Sequence, residues 1–250
     1  MSFWEGVLIV AAGFAAGTIN TIVGSGSLIT FPTLLALGYA PVTANVSNTI
    51  GLVFGGVSGA VGYRRELAGQ QRRVRVLGLG SLIGGITGAV LLLTLPSSVF
   101  DAVVPVLILF ACGLVVLQPR LSRFLAERRT REVEHGGAVL WVLVLLTGIY
   151  GGYFGAGQGV ILLALLGVFI TDHLQRLNGV KNVLALIANG VAAIVFVFSA
   201  SVAWEVSALI AVGSIAGGQL GAHVGRRLPQ PWLRAGIVVI GVVAAIRLIV

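Results

Sequence analysis

From Gly6 to Tyr63 the chain carries no Asp, Glu, Lys or Arg, yet that stretch cannot be one continuous helix. Gly24, Gly26, Pro32, Gly38 and Pro41 interrupt it, and Asn20, Ser25, Ser27, Asn45, Ser47 and Asn48 set polar groups between the apolar runs. A membrane-crossing helix needs about 20 apolar residues, so the stretch is long enough to cross a bilayer more than once. In lipid, each backbone amide without a partner costs several kcal/mol, and broken helix survives only where protein or a wet cavity satisfies it. The interruptions therefore point to a polar site buried inside a membrane protein.

The rest of the chain agrees. Of its 250 residues, 57% are hydrophobic and 10% are charged, whereas soluble domains carry about 25% charged residues. Too little polar surface exists to cover a water-exposed globule. The net charge of +8 lies in loops between apolar runs, so topology explains it better than nucleic-acid binding. Glu5 stands where a secretory signal would be basic, and the first apolar segment is expected to remain as a span. Cys112 is the single cysteine and has no partner for an intramolecular disulfide. No metal-ligand cluster, no phosphate-binding loop and no nucleophile–base pair at helix depth is legible, so the chain reads as neither an enzyme nor a cofactor protein.

Apolar runs predict ten segments, at 4–22, 27–38, 45–62, 75–95, 99–117, 138–154, 158–170, 182–199, 207–224 and 233–250. The second and seventh are half-length, as broken or re-entrant helices are. Every lysine and arginine except Arg247 falls in the loops 63–75, 118–135, 171–181 and 225–234. With ten crossings those loops share one side, which the positive-inside rule makes cytoplasmic. Both termini are then outside. The side assignment survives if each short segment folds back on the one before it.

The two halves resemble each other. Residues 13–38 match 148–167 around Gly24/Gly26 and Gly155/Gly157, residues 47–60 match 181–194, and 80–96 match 213–229. Five segments per half is an odd number, so the second half inserts upside down. The expected architecture is an all-α polytopic membrane protein of two inverted repeats, each with one short or re-entrant broken helix. Residues 1–117 form the first repeat, 118–137 a basic cytoplasmic linker and 138–250 the second repeat.

Paired broken segments in two halves are the sequence pointer to a transporter's binding site at the bilayer midplane. The candidate substrate-binding residues are Asn20, Gly24, Ser25, Gly26, Ser27, Asn45, Asn48 and Thr49 in the first half. Gly155, Gly157, Gln158, Asn178, Lys181, Asn182 and Asn189 are their counterparts in the second. Glycines let backbone turn and approach a ligand closely. Asn45, Ser47 or Asn48 is expected to cap the next helix, leaving amides that favour an anion. Lys181, the only lysine, stands at the expected opening of a helix near Asn182. It reads equally as an anion-binding charge and as an ordinary cytoplasmic-side residue. Gly80, Gly84, Gly88 and Gly213, Gly217, Gly221 recur every fourth position and read as close helix packing.

"VGSGSLITFPTLLALGYAPVTANVSNTIG", "GIYGGYFGAGQGVILLALLG" and "GSIAGGQLGAHVGRRLP" resemble the TauE/SafE family of sulfite and organosulfonate exporters, over nearly the whole chain. The resemblance implies a bacterial-type inner-membrane permease for small sulfur-containing anions or related carboxylates. It also sets Thr49 where related members carry a lysine. The expected function is secondary transport of a small anion by alternating access. The alternatives are a proton-coupled uptake permease for a weak carboxylic acid and an accessory membrane subunit without transport. The expected partners are the lipid bilayer, the anion and, as an open question, a second copy of the chain.

Overall fold

The computed structural model describes residues 1–127, 137–224 and 230–249. Ten helices are described: α1 (Phe3–Ile22), α2 (Ser27–Ala36), α3 (Pro41–Gly62), α4 (Gln71–Thr94), α5 (Ser97–Glu127), α6 (Gly137–Tyr153), α7 (Gln158–Phe169), α8 (Leu174–Ser199), α9 (Trp204–Val224) and α10 (Gln230–Ile249). No strand occurs among the described residues. Five of these helices, α1, α4, α5 as far as Gln118, α8 and α9, are long and apolar enough to cross a membrane.

Local chemistry sets the helix limits. Ser2 and Glu5 form a capping box, with Glu5 N donating to Ser2 Oγ at 3.2 Å and Ser2 N to Glu5 Oε2 at 2.7 Å. α1 ends because Gly24 turns left-handed at φ 89°, as Gly155 does after α6 at φ 79°. Pro41 opens α3 from its first turn, where its missing N–H costs nothing. That choice corrects one expectation: Asn45, Ser47 and Asn48 are not caps but lie a turn or more inside α3, which begins after Ala40. Likewise α8 begins at Leu174, so Lys181 and Asn182 sit about two turns within it. Their backbone amides belong to helical hydrogen bonds and are not free for an anion. α5 continues to Glu127, so the first half of the segment expected to be a linker is helical; the remainder of that segment, up to 136, lies outside the described residues.

Glycine controls how the helices meet. Gly13 and Gly17 of α1 press on the backbone of Ile210 and Ser214 of α9, and Gly213, Gly217 and Gly221 press back on α1. Gly84 and Gly88 of α4 lie against the backbone of α6, as Gly148 and Gly152 of α6 lie against α4. The four-residue glycine repeats are thus packing faces, as their spacing implied. In both pairs, and between α3 and α9, the contacts advance in the same chain direction. Thr18 Oγ1 donates to Gly217 O (3.0 Å), Ser58 Oγ to Ile215 O (2.8 Å), Ser214 Oγ to Gly51 O (3.1 Å) and Ser207 Oγ to Ser47 O (3.1 Å). Such bonds average about 0.6 kcal/mol each in membrane helices. The four together contribute roughly 2 kcal/mol, so close glycine packing, which brings whole backbones into contact, does more to hold the helices together.

The distribution of polarity is inverted relative to a soluble protein. Phe198, Val106, Val212 and Ile194 are well exposed, while Asn45, Asn48, Gln158, Asn178 and Lys181 are buried. Apolar side chains face lipid, and the interior holds the amides.

Candidate functional site

The two glycine turns meet back to back. Gly159 N donates to Gly24 O at 3.0 Å, and a Cβ on either glycine would run into the other's backbone. Around this junction the chain leaves two small adjoining cavities. One is lined by Asn20, Thr21, Gly24, Lys181, Asn182 and Asn189, with Leu52, Val53, Gly56, Ala185 and Leu186 as its apolar wall; it leaves about 20 Å³ for the centre of a water molecule. The other, about 10 Å³, is lined by Asn20, Gly24, Ser27, Thr49, Gly155, Gln158 and Asn189 with Leu52, Gly159 and Ala185. Each holds about one water at most, so the chain is closed around its polar centre.

Lys181 is fully buried, which sets aside the reading of it as an ordinary cytoplasmic-side charge. Its ammonium donates to Asn20 O and Thr21 O, both at 3.2 Å. Asn178 Nδ2 and Asn182 Nδ2 each donate to Thr21 O at 3.3 Å. Asn178, Lys181 and Asn182 stand at i, i+3 and i+4, one helix face, and that face satisfies the last carbonyls of α1, where a positive charge is favourable. Asn178 Nδ2 also donates to the Tyr63 hydroxyl at 2.9 Å. Sequence reading missed this capping role, although the N-x-x-K-N spacing carries the signal.

In the other half, Asn45 Nδ2 donates to Tyr153 O at 3.0 Å, at the end of α6. Asn48 accepts from Thr30 Oγ1 and donates to Ser27 Oγ (3.2 Å), tying α3 to α2. Thr49 Oγ1 bonds back to Asn45 O at 2.9 Å. Asn189 Nδ2 donates to Gln158 Oε1 at 3.4 Å. Gln158 Nε2 and Ser25 Oγ are buried without a partner among the described residues. Gln158 fits only because Gly151 has no side chain there. Of the expected residues, Ser25, Gly26, Asn45, Asn48, Gly157 and Asn178 do not line the cavities. Gly26 packs on Ala16 and Gly157 on Ala111, while Asn45, Asn48 and Asn178 hold neighbouring backbone and side chains in place. Thr21, Gly159, Leu52 and Ala185 line the cavities unforeseen, since nothing in their residue type distinguishes them from helix filler.

Beyond the cavities, Asp172, in the connection between α7 and α8, pairs with Arg73 Nη1 and Arg176 Nε, both at 2.9 Å. Arg176 also donates to Ala68 O at 3.2 Å, and Gln70 Nε2 to Arg176 O at 3.1 Å. Burial alone would raise the Asp172 carboxyl. Hydrogen bonds from Arg73 and the His173 amide, with the charges of Arg176 and Arg73, outweigh it and hold the group below its ordinary value. An apolar crevice of about 810 Å³ between the start of α1 and α9 is larger, but it is open and Ser2 is the one polar side chain among its lining residues. No group of His, Cys, Asp and Glu suited to a metal occurs among the described residues.

These features define a polytopic helical membrane protein whose buried polar groups, on α1, α3 and α8 above all, gather beside the starts of two short helices. The family model for the sulfite exporter TauE/SafE matches residues 9–248, and the chain belongs to that family. A Sinorhizobium protein is 29% identical over 248 residues, covering 96% of this chain and 91% of its own. A Haemophilus influenzae protein is 28% identical over 229 residues, with 90% and 88% covered. Escherichia coli K12 YfcA is 26% identical over 259 residues, with 98% and 89% covered. All three are described as probable membrane transporter proteins. No solved structure matches.

Proposed function

We propose that the protein is a secondary transporter of small anions, sulfur oxyanions or organosulfonates, working by alternating access around the Gly24–Gly159 junction. The observation that carries this reading is the junction itself: two short helices, α2 and α7, start beside a buried polar centre that holds a lysine and a glutamine whose Nε2 has no partner among the described residues. An intramembrane ionisable group is expensive and marks a ligand or ion path. The names of the three relatives point to transport, and the family's description points to sulfite as its chemistry.

In this proposal the chain is a pair of inverted repeats, with α1–α5 matching α6–α10. The packing supports it: α1 lies on α9 as α6 lies on α4, α2 on α10 as α7 on α5, and α3 on α9 as α8 on α4. The protein sits in the inner membrane with its arginine-rich loops in the cytoplasm. Asn20, Ser27, Thr49, Gln158, Lys181, Asn182 and Asn189 line the path of the anion once the closed centre opens.

The test is flux in proteoliposomes. Sulfite, thiosulfate, sulfoacetate and short carboxylates are offered to reconstituted protein, alongside a thermal-shift screen in detergent. A bound anion at a hundred times its Kd stabilises by about 2.7 kcal/mol. Protein-dependent flux of a sulfur-containing anion supports the reading, and flux confined to carboxylates moves it to the weak-acid alternative. No flux and no stabilisation by any of them refutes transport.

A further inference from the structure

We infer that Lys181 is the proton-coupling site of the transporter: one proton on its amine travels with each anion, and the empty carrier returns with the amine neutral. This rests on the reading of the chain as an anion transporter. Lys181 is fully buried, lines the central cavity with Asn20, Asn182 and Asn189, and makes no ion pair among the described residues. Among the described residues its charge is met by carbonyl dipoles, those of Asn20 and Thr21 at 3.2 Å. An ammonium has three donors. Two are taken by these carbonyls.

In transporters, helix C-terminal carbonyls beside an anion site hold the coupling cation, Na⁺ or H⁺. Here the ammonium occupies that place. The site therefore takes a proton rather than a metal ion, because the cation is covalently part of α8.

The electrostatics close the cycle. A buried ammonium without a carboxylate is costly, and an anion arriving in the cavity beside it supplies the missing charge. Protonated lysine with a monovalent anion is neutral, as is free amine with an empty cavity. Both can be carried between the two sides, whereas either charge alone is penalised. By linkage, the anion strengthens proton binding by the same factor as the proton strengthens anion binding.

The surroundings leave the task to Lys181. α1 offers only Asn20 and Thr21 to it, and α7 carries no titratable residue. α3 and its connection to α4 bring the Tyr63 hydroxyl, bonded through Asn178, and Glu66, packed near Gly179. α6 carries Tyr150, which donates to Ala156 O, and Tyr153. Arg72, Arg73 and Arg75 of α4, with Asp172, His173 and Arg176, lie at the loop end.

The experiment uses proteoliposomes enclosing a pH dye, with methanesulfonate and ethanesulfonate, both monovalent, as probes. Their sulfonate groups stay ionised across the working pH range, so a pH dependence belongs to the protein. An inward sulfonate gradient is expected to acidify the lumen by one proton per anion. The anion's Kd is expected to rise by about tenfold per pH unit once Lys181 loses its proton. Lys181→Arg, which stays protonated, is expected to lose net proton-coupled uptake, and any anion binding that it retains is expected to be indifferent to pH over the range in which the wild type responds. Wild-type flux with no acidification, or an affinity indifferent to pH, overturns the coupling and leaves the transporter reading standing. If neither sulfonate moves while another anion does, the same dye measurement is made with that anion, and flux without acidification overturns the coupling again. Absence of flux for every anion removes the reading on which it rests.

Discussion

Gly24→Ala isolates the cost of the junction, because Gly38 supplies an internal control. Both glycines turn left-handed, at φ 89° and φ 84°, where an L side chain costs roughly 1–2 kcal/mol. A Cβ at Gly38 meets nothing within 4 Å, so Gly38→Ala carries that strain alone. A Cβ at Gly24 would also stand 2.8 Å from Gly159 C and 3.1 Å from Gly159 N, against backbone that cannot rotate away. Relief requires the two turns to separate, which breaks the 3.0 Å bond from Gly159 N to Gly24 O. Losing that buried bond and leaving its groups unpaired adds about 1–3 kcal/mol, so Gly24→Ala should cost about 2–5 kcal/mol in all. For a chain of this size each kcal/mol lowers Tm by about 2–4 °C. Thermal unfolding in detergent should therefore show a loss of a few degrees for Gly38→Ala and roughly twice that for Gly24→Ala. Gly24→Ala should also lose the stabilisation given by a bound anion. Equal shifts in the two variants, with anion stabilisation intact in both, would mean that the turns do not bear on one another as described.

Acid should destabilise the wild type more steeply than Asp172→Asn. The folded carboxyl is depressed, so its contribution is complete above the unfolded value of about 3.9 and is lost as pH falls through the folded one. Solvent screening at this partly exposed pair limits the effect to about 1 kcal/mol, and parallel Tm–pH curves would remove the argument. Asn178→Leu should cost about 1–3 kcal/mol, by leaving Thr21 O short of a donor and removing one of the hydrogen bonds to the Tyr63 hydroxyl; an unchanged melting curve would show that α1 needs no such cap. Single cysteines at Ser98, Ser201 and Gln71, all exposed, in a Cys112→Ala background test sidedness. An impermeant thiol reagent outside intact cells should label positions 98 and 201 and spare 71, and labelling of 71 alone would reverse the orientation.

Most of the fold was legible because lipid leaves the chain few options. The apolar runs located every described helix, and the half-length of α2 and α7 followed from the turns at Gly24, Gly38 and Gly155, although α2 runs on through Pro32. Helix starts were harder. Asn45 and Asn182 look like caps because their amides are good ones, but Pro41 and the segment from Leu174 begin the helices earlier, and buried asparagines then serve as donors to neighbouring backbone. The site was legible as a region and not as a list of roles. Lys181 was singled out by its rarity, yet nothing local announces that its ammonium reaches carbonyls 160 positions away. Arg176 likewise read as one more loop charge, whereas it helps to bind the connection before α8 to the one before α4.

The glycine faces also set the order in which the protein can be made. The Thr18–Gly217 bond spans 199 positions, so α1 enters the bilayer long before α9 exists. At 5–20 residues per second, roughly 200 residues of further synthesis take about 10–40 s. Through that time the glycine groove of α1 is lined by lipid alone, or by whatever insertion factor shields it. The wait for α4 is shorter, because α6 follows about 60 residues later, or roughly 3–12 s at the same rate. The α4–α6 pair can thus assemble while the ribosome is still working, and the α1–α9 pair closes only near the end of translation, with α10 still to dock on α2 and α5.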